Sequence, residues 1–306
     1  EGEKFVGTYL CKQKQILKTK AGKTYYSLTL QDKTGTADGK IWELNNGIAN
    51  FEPMDYIHCE GMVTSFQGNL QMNISRVRIS DEGEYDPADY VPCTNKDVGE
   101  MFSRILKYVA SVQNKYLRKI LEMYFVENKE FVDAFKKHSA AKSVHHGFMG
   151  GLLEHTLSVT DMCQYFAEHY PMIHRDLLIT AALFHDMGKI QEISDFPMND
   201  YTDDGQLLGH IYIGARCMEN AAAQIPNFPP KLKNELVHCI LAHHGKMEFG
   251  SPKVPAIMEA MALHMADNAD AKLQTLTEVF TQAGDNMGWL GFNRMFESNL
   301  RKTSEE

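Results

Sequence analysis

The sequence contains no run of about 18 apolar residues, so no ordinary membrane-spanning helix is expected. No basic and apolar leader opens it, and secretion is not expected either. Its 6 cysteines, at positions 11, 59, 93, 163, 217 and 239, include no C-x-x-C pair. A zinc ribbon or a thioredoxin-like redox site is thereby excluded, and the thiols read as reduced ones in a cytoplasmic protein. There is no internal repeat and no low-complexity tract, which removes solenoids and disordered tails. Positive charge is also scarce: the net formal charge is −9, unlike a protein that coats nucleic acid through bulk basicity. What is present is ordinary globular composition, 43% hydrophobic and 23% charged, in 306 residues, enough for two cores.

The charge is unevenly spread. Residues 1–80 hold 10 lysines and arginines against 8 acidic residues, whereas the remainder holds 21 against 32. The first part can approach phosphates, and the second can attract divalent cations. Texture changes at the same place. Within 1–80, "YYSLTLQD", "YIHCEGMVTSF" and "NLQMNISRVRI" alternate apolar and polar positions between Gly, Asn and Asp, which predicts an all-β domain of about five strands with a turn at Gln67 and Gly68. Residues 81–97 are acidic, hold two prolines and have no period, and are expected to be a linker. From Val98 to the end, segments such as "VGEMFSRILKYVASV", "GLLEHTLSVTDMCQYF" and "KLKNELVHCILAHH" space apolar residues three and four apart. An all-α bundle of at least seven helices is expected over 98–306.

All but one of the 13 histidines lie between positions 138 and 264. A lone histidine beside apolar helix positions is usually a satisfied core residue. Several on successive helices, accompanied by carboxylates, are costly to bury unless they are paired or hold metal. His155, His185, Asp186, His210, His243 and Asp267 supply the imidazole and carboxylate mixture that suits first-row divalent ions. Neighbours such as His185 and Asp186 point about 100° apart on a helix and can serve two ions, with Lys189 one turn on.

The series "LLEHTLSV", "ALFHDMGK", "GHIYIG", "AHH" and "HMADNADA" resembles the HD superfamily of metal-dependent phosphohydrolases over about residues 145–275. The resemblance implies that His155, His185, Asp186 and Asp267 hold one ion, and that His210 and His243, with His244 as the alternative, add a second. Members of the HD-GYP branch carry a glutamate one turn before the first histidine. Gly151 stands there, so a third ion is not expected.

The β segment resembles an OB-fold of the anticodon-binding and single-strand-binding type. Facing Tyr26, Leu28, Leu30 and Ile41 inward turns Tyr25, Lys40 and Trp42 outward, where aromatic faces beside a lysine suit unpaired bases and their phosphates. The plainer alternative is that Tyr25 and Trp42 only close the barrel; Phe66 at the hairpin tip is a weaker candidate. The order OB-fold, acidic segment, HD bundle resembles the YhaM-type 3′-to-5′ exoribonucleases. That resemblance implies two divalent ions, Mn2+ or Co2+ first and Fe2+, Mg2+ or Ni2+ as alternatives. Asp186 would bridge the ions, and Lys189 would stabilise charge on the phosphate under attack. Arg216 is a candidate phosphate contact, and His145 and His146 are candidates for the substrate entrance or for a capping role. The expected partner is single-stranded RNA, with single-stranded DNA as the open alternative, no membrane, and self-association into a homo-oligomer left open. Two other readings stay open: an HD phosphodiesterase or nucleotidase for small nucleotides or cyclic dinucleotides, and a non-catalytic single-strand-binding protein.

Overall fold

A computed structural model describes residues 2–142 and 146–304. The alternating segments become β1 (Lys4–Lys18), β2 (Thr24–Asp32), β3 (Gly35–Ile41), β4 (Tyr56–Phe66) and β5 (Asn69–Ile79). They close into a barrel in the order β1-β2-β3-β5-β4, antiparallel except where β3 meets β5. Five strands in this closed order form an OB-fold barrel, and closure leaves no free sheet edge. The inward positions are Cys11, Leu28, Leu30, Ile41, Ile57, Cys59 and Ile74, all buried. The β4–β5 turn has φ of 52° at Gln67 and 84° at Gly68, the left-handed pair that a two-residue hairpin needs. A register shift at Glu60/Gly61 bends β4. Gly61 is obligatory there, because a Cβ would lie 2.2 Å from the Asn73 carbonyl.

Residues 81–93 carry only a short 3-10 turn, Pro87–Asp89, yet they are stitched to the barrel. The rings of Tyr56 and Tyr85 stack 4.1 Å apart. Lys33 N–H donates to the Asp89 carbonyl at 2.6 Å, and Gln31 Nε2 donates to the Tyr90 carbonyl at 2.7 Å. One compact unit comprises Glu1–Cys93 with Asp195–Met198, and the other comprises Thr94–Ser194 with Asn199–Glu306.

The second unit is helical: α1 (Val98–Ser111), α2 (Lys115–Glu122), α3 (Lys129–Lys137), α4 (Gly151–His169), α5 (Arg175–Phe184), α6 (Lys189–Glu192), α7 (Asp203–Ala223), α8 (Pro230–Ala242) and α9 (Met258–Gln282). Two of these did not stand out in the sequence. The helix α3 is only nine residues long and follows a π-helical turn, Met123–Glu127, and α6 is a single turn. Caps explain the starts of α1, α2 and α3, where Asp97, Asn114 and Asn128 side chains accept backbone N–H bonds. The first turns of α4 are buried on every side, and almost the whole of α5 is buried, which makes them the centre of the bundle. Among the described residues, no helix is long and apolar enough to cross a membrane.

Replacing Leu30, fully buried in the barrel, tests the core assignment. Leu30→Ala is expected to cost about 2–5 kcal/mol in the unfolding of the barrel. Urea denaturation followed by far-UV circular dichroism checks it, and an unchanged midpoint would remove Leu30 from the core.

Candidate metal centre

Five helices deliver the histidines and carboxylates to one place. His155 comes from α4, and the His185–Asp186 doublet from the turn that ends α5. His210 follows a break in α7 at Gly209, whose φ is 71°; His243 caps α8, and Asp267 and Asp270 lie on α9. His155 Nε2 lies 3.1 Å from His185 Nε2, 3.3 Å from Asp186 Oδ2 and 3.2 Å from Asp267 Oδ1. On the other side, His210 Nε2 and His243 Nε2 each lie 3.6 Å from Asp186 Oδ1. His244 joins His210 and His243 in a second group of converging ligand atoms. Asp186 thus turns one oxygen to each set.

Local structure fixes which ring nitrogen faces inward. The last carbonyls of a helix have no partner within it. His185 Nδ1 meets the Ala182 carbonyl at 2.7 Å, and His243 Nδ1 meets that of Ile240 at 2.6 Å. An acceptor at Nδ1 places the hydrogen there and leaves the Nε2 lone pair pointing into the cluster. Side chains do the same for the other two rings. Asp270 Oδ2 lies 2.7 Å from His155 Nδ1. Glu192 Oε1 lies 2.9 Å from His210 Nδ1 and also accepts the His210 backbone N–H at 2.9 Å, a donor that the Gly209 break frees from the helix. Asp270 is itself fixed by His146 Nε2 at 3.0 Å and by the Ser158 hydroxyl.

Burial pushes the His185 imidazole down to about 4, so it is neutral near pH 7, as a metal ligand must be. Burial and the neighbouring His243 and His210 take His244 down to about 3. His155 goes the other way: burial lowers it, but Asp186, Asp267 and Asp270 outweigh that and hold it well above the ordinary value. Burial would raise Asp186, yet Lys189 and His185 hold it well below the carboxylate range. Lys189 is 12% exposed with Nζ 2.7 Å from Asp186 Oδ2, and the ion pair overcomes burial and keeps the ammonium charged.

The cluster fits divalent metal. Asp186 Oδ1, His210 Nε2 and His243 Nε2 are buried with no hydrogen-bond partner, a costly arrangement for a site meant to stand without a cation. His155 Nε2 and His185 Nε2, 3.1 Å apart, likewise require a proton or a cation between them. Imidazole and carboxylate together are the donors that first-row divalent ions take.

Other expected residues fall elsewhere. Tyr25 and Trp42 stack on each other on the outer face of the barrel, with centroids 4.5 Å apart, and Trp42 is 37% exposed. Lys40 is engaged there, donating to Ser27 Oγ at 2.8 Å and to Asp38 Oδ1 at 2.7 Å. Phe66 is exposed at the hairpin tip. Arg216 is not among the gathered groups: its guanidinium lies 5.7 Å from the centre of the Tyr212 ring, and six residues of unbroken helix turn it about 120° away from His210. His145 lies outside the described residues. His146 is buried against Asp270. At Gly151 a Cβ would lie 2.0 Å from the His146 carbonyl, which leaves no room for a side chain there.

Asp270 and Glu192 were missed in the sequence, though both had a signal. Asp270 stands one turn beyond Asp267 on the same face of α9, and Glu192 stands three residues beyond Lys189. Gly188 is a third: a Cβ there would lie 2.1 Å from the His210 carbonyl.

Asp270→Asn is expected to weaken the ion at the His155 set, and Glu192→Gln the ion at the His210 set, each by about 10–100-fold. Titration with Mn2+ followed by equilibrium dialysis reads both, and equal losses at both sets in either variant would disprove the pairing. Gly188→Ala is expected to act like Glu192→Gln by displacing His210.

The family model described as HD domain matches residues 152–272. The 3′-5′ exoribonuclease YhaM of Geobacillus sp. (strain WCH70) is 32% identical over 257 residues, covering 83% of this chain and 78% of that protein. The YhaM proteins of Bacillus subtilis (strain 168) and Listeria innocua are 32% and 33% identical, each spanning over four fifths of both chains. Among solved structures, the second OB-fold domain of replication protein A from Methanococcus maripaludis aligns at 18% identity over 28% of this chain and 89% of that one, with a TM-score of 0.21. The OB assignment therefore rests on the strand order of the barrel itself, and the relatives decide the rest: the chain belongs to the family of the YhaM exoribonucleases.

Proposed function

We propose that this protein is a metal-dependent 3′-to-5′ exoribonuclease that releases nucleoside 5′-monophosphates from single-stranded RNA in the cytoplasm, with single-stranded DNA as a second substrate to test. The observation that carries the reading is the sharing of Asp186 between two inward-facing histidine sets, one with His155, His185 and Asp267 and one with His210 and His243. The names of its relatives support the same activity. His244 adds to the second set. Bound to these residues, two divalent ions, Mn2+ or Co2+ first, would supply an acidified water and neutralise charge on the phosphate.

The chain supplies the rest. Asp186 holds both sets in register through its two oxygens. Lys189, charged and beside Asp186, offers a cation to the non-bridging oxygens of the phosphate, where charge must be stabilised in the transition state. The buried helices α4 and α5 exclude bulk water and strengthen these charges. On the barrel, the Trp42 and Tyr25 pair is the stacking surface for the body of the strand. Lys40 reaches a phosphate only by leaving Asp38 and Ser27, so its share of binding is smaller than that of Trp42.

Wild-type protein with Mn2+ is expected to shorten a 5′-labelled single-stranded RNA from its 3′ end, and Asp186→Ala to stop it. Hydrolysis of a cyclic dinucleotide without shortening of the oligomer would return the site to small nucleotides. Lys189→Ala is expected to lower kcat by about 10–1000-fold with metal still bound; unchanged kinetics would return it to a structural role. Trp42→Ala is expected to raise KM for a long single strand by about ten-fold or more and to leave a dinucleotide unaffected. Equal effects on both substrates would remove the barrel from strand binding. Mn2+ is expected to raise Tm in a concentration-dependent way that a chelator reverses.

A further inference from the structure

The loop after α8 carries an aromatic ring that the metal centre does not use. The His244 ring lies 5.1 Å from the ring of His210 and 4.3 Å from that of His243, and its Nδ1 donates to the Phe249 carbonyl at 2.8 Å. The backbone of Phe249 is therefore one hydrogen bond from the second histidine set. Phe249 is 56% exposed, and Lys246 Nζ lies 5.3 Å from the centre of its ring. The loop is a closed turn. Phe249 N–H donates to the Lys246 carbonyl at 3.1 Å, Gly250 N–H to that of Met247 at 3.0 Å and Ser251 N–H to that of Lys246 at 3.3 Å. Gly250 has a φ of 92°, and Gly245, at the start of the loop, packs so closely on His264 that a Cβ would meet its ring at 2.3 Å. The turn fixes the backbone that carries the ring, and the exposure of the ring serves no core.

We infer that Phe249 is the seat of the 3′-terminal nucleotide: its ring stacks on the terminal base, and Lys246 covers the ring as the cation of a cation–π pair. The inference rests on the proposed cleavage of a single strand at the centre. The nucleotide to be removed has its 5′ phosphate at the centre and its base one sugar away, and an exposed aromatic residue whose backbone carbonyl holds His244 of the second histidine set matches that layout. Base stacking tolerates any sequence, because every base has a π face. Such a seat suits an enzyme that removes whatever nucleotide ends the strand. It is also separate from the Trp42 surface, which lies on the other unit and takes the body of the strand.

The test compares two single-stranded RNAs that differ only at the 3′ end, one finishing in an ordinary nucleotide and one in an abasic nucleotide. The rate of the first cut is measured with Mn2+ and enzyme in excess. Wild-type protein is expected to cut the base-bearing end about ten-fold or more faster. Phe249→Ala is expected to cut both ends at the slow rate with its metal content unchanged, because the carbonyl that holds His244 is backbone. Phe249→Trp is expected to restore the preference. Equal rates for both ends in the wild type would overturn the seat, as would a Phe249→Ala variant that keeps the preference. A variant slowed equally on both ends would make Phe249 only a support for His244 and also overturn the seat. Wild-type protein inert on both RNAs would sink the nuclease reading and the seat with it, a failure visible before any variant is made.

Discussion

Everything at the centre depends on one repeated interaction, the hydrogen bond between a histidine Nδ1 and an oxygen behind it. An imidazole free to rotate or to change tautomer offers a ligand only part of the time. Here the four rings facing Asp186 are fixed from behind: His155 by Asp270, His210 by Glu192, His185 and His243 by the Ala182 and Ile240 carbonyls. The two backbone acceptors exist because α5 and α8 end at those histidines. A helix continuing past residue 185 or 243 would occupy those carbonyls in its own ladder. Helix length, set by packing in the bundle, thus decides the chemistry of the rings at the helix ends.

Close backbone approaches do the remaining positioning. Gly188 lets the start of α6 touch the His210 carbonyl, Gly205 lets α7 pass over Glu192, and Gly151 lets α4 begin against His146. The break at Gly209 is the most consequential of these features, because it releases the His210 N–H that Glu192 accepts. A straight helix through residue 209 would use that N–H internally and leave Glu192 one bond poorer.

The fold was largely legible because each half has a clean period. Alternation in Tyr25–Leu30 and Tyr56–Phe66 gave the strands, and three-and-four spacing gave the long helices. What escaped were elements without enough sequence to show a period: the short α3 behind a π-helical turn and the single turn of α6. The packing of residues 81–93 also escaped, since a stacked tyrosine such as Tyr85 has no periodic signature. At the centre, residues expected to converge were those whose type speaks for itself, histidine and aspartate beside apolar positions. Asp270 and Glu192 had a spacing signal beside Asp267 and Lys189, but their role lies in what they touch across the fold, which spacing alone does not reveal. Lys40 illustrates the reverse: its outward position is readable from alternation, but its engagement by Asp38 and Ser27 requires the register of β2 against β3.

The charge balance of the centre shows why so acidic a cluster tolerates burial. Asp186, Asp267 and Asp270 all meet the His155 ring, Glu192 meets that of His210, and Lys189 supplies one lasting positive charge. Without metal, a proton on His155, whose three carboxylate neighbours outweigh its burial, offsets only part of the remaining negative charge. His185, only 3.1 Å away, stays neutral chiefly because it is buried, with the charge on His155 adding to that effect. His155, Asp186 and Asp267 would hold a divalent ion at this set only with the His155 proton gone, its charge falling where the carboxylates already pull. Metal binding there would therefore be coupled to proton release.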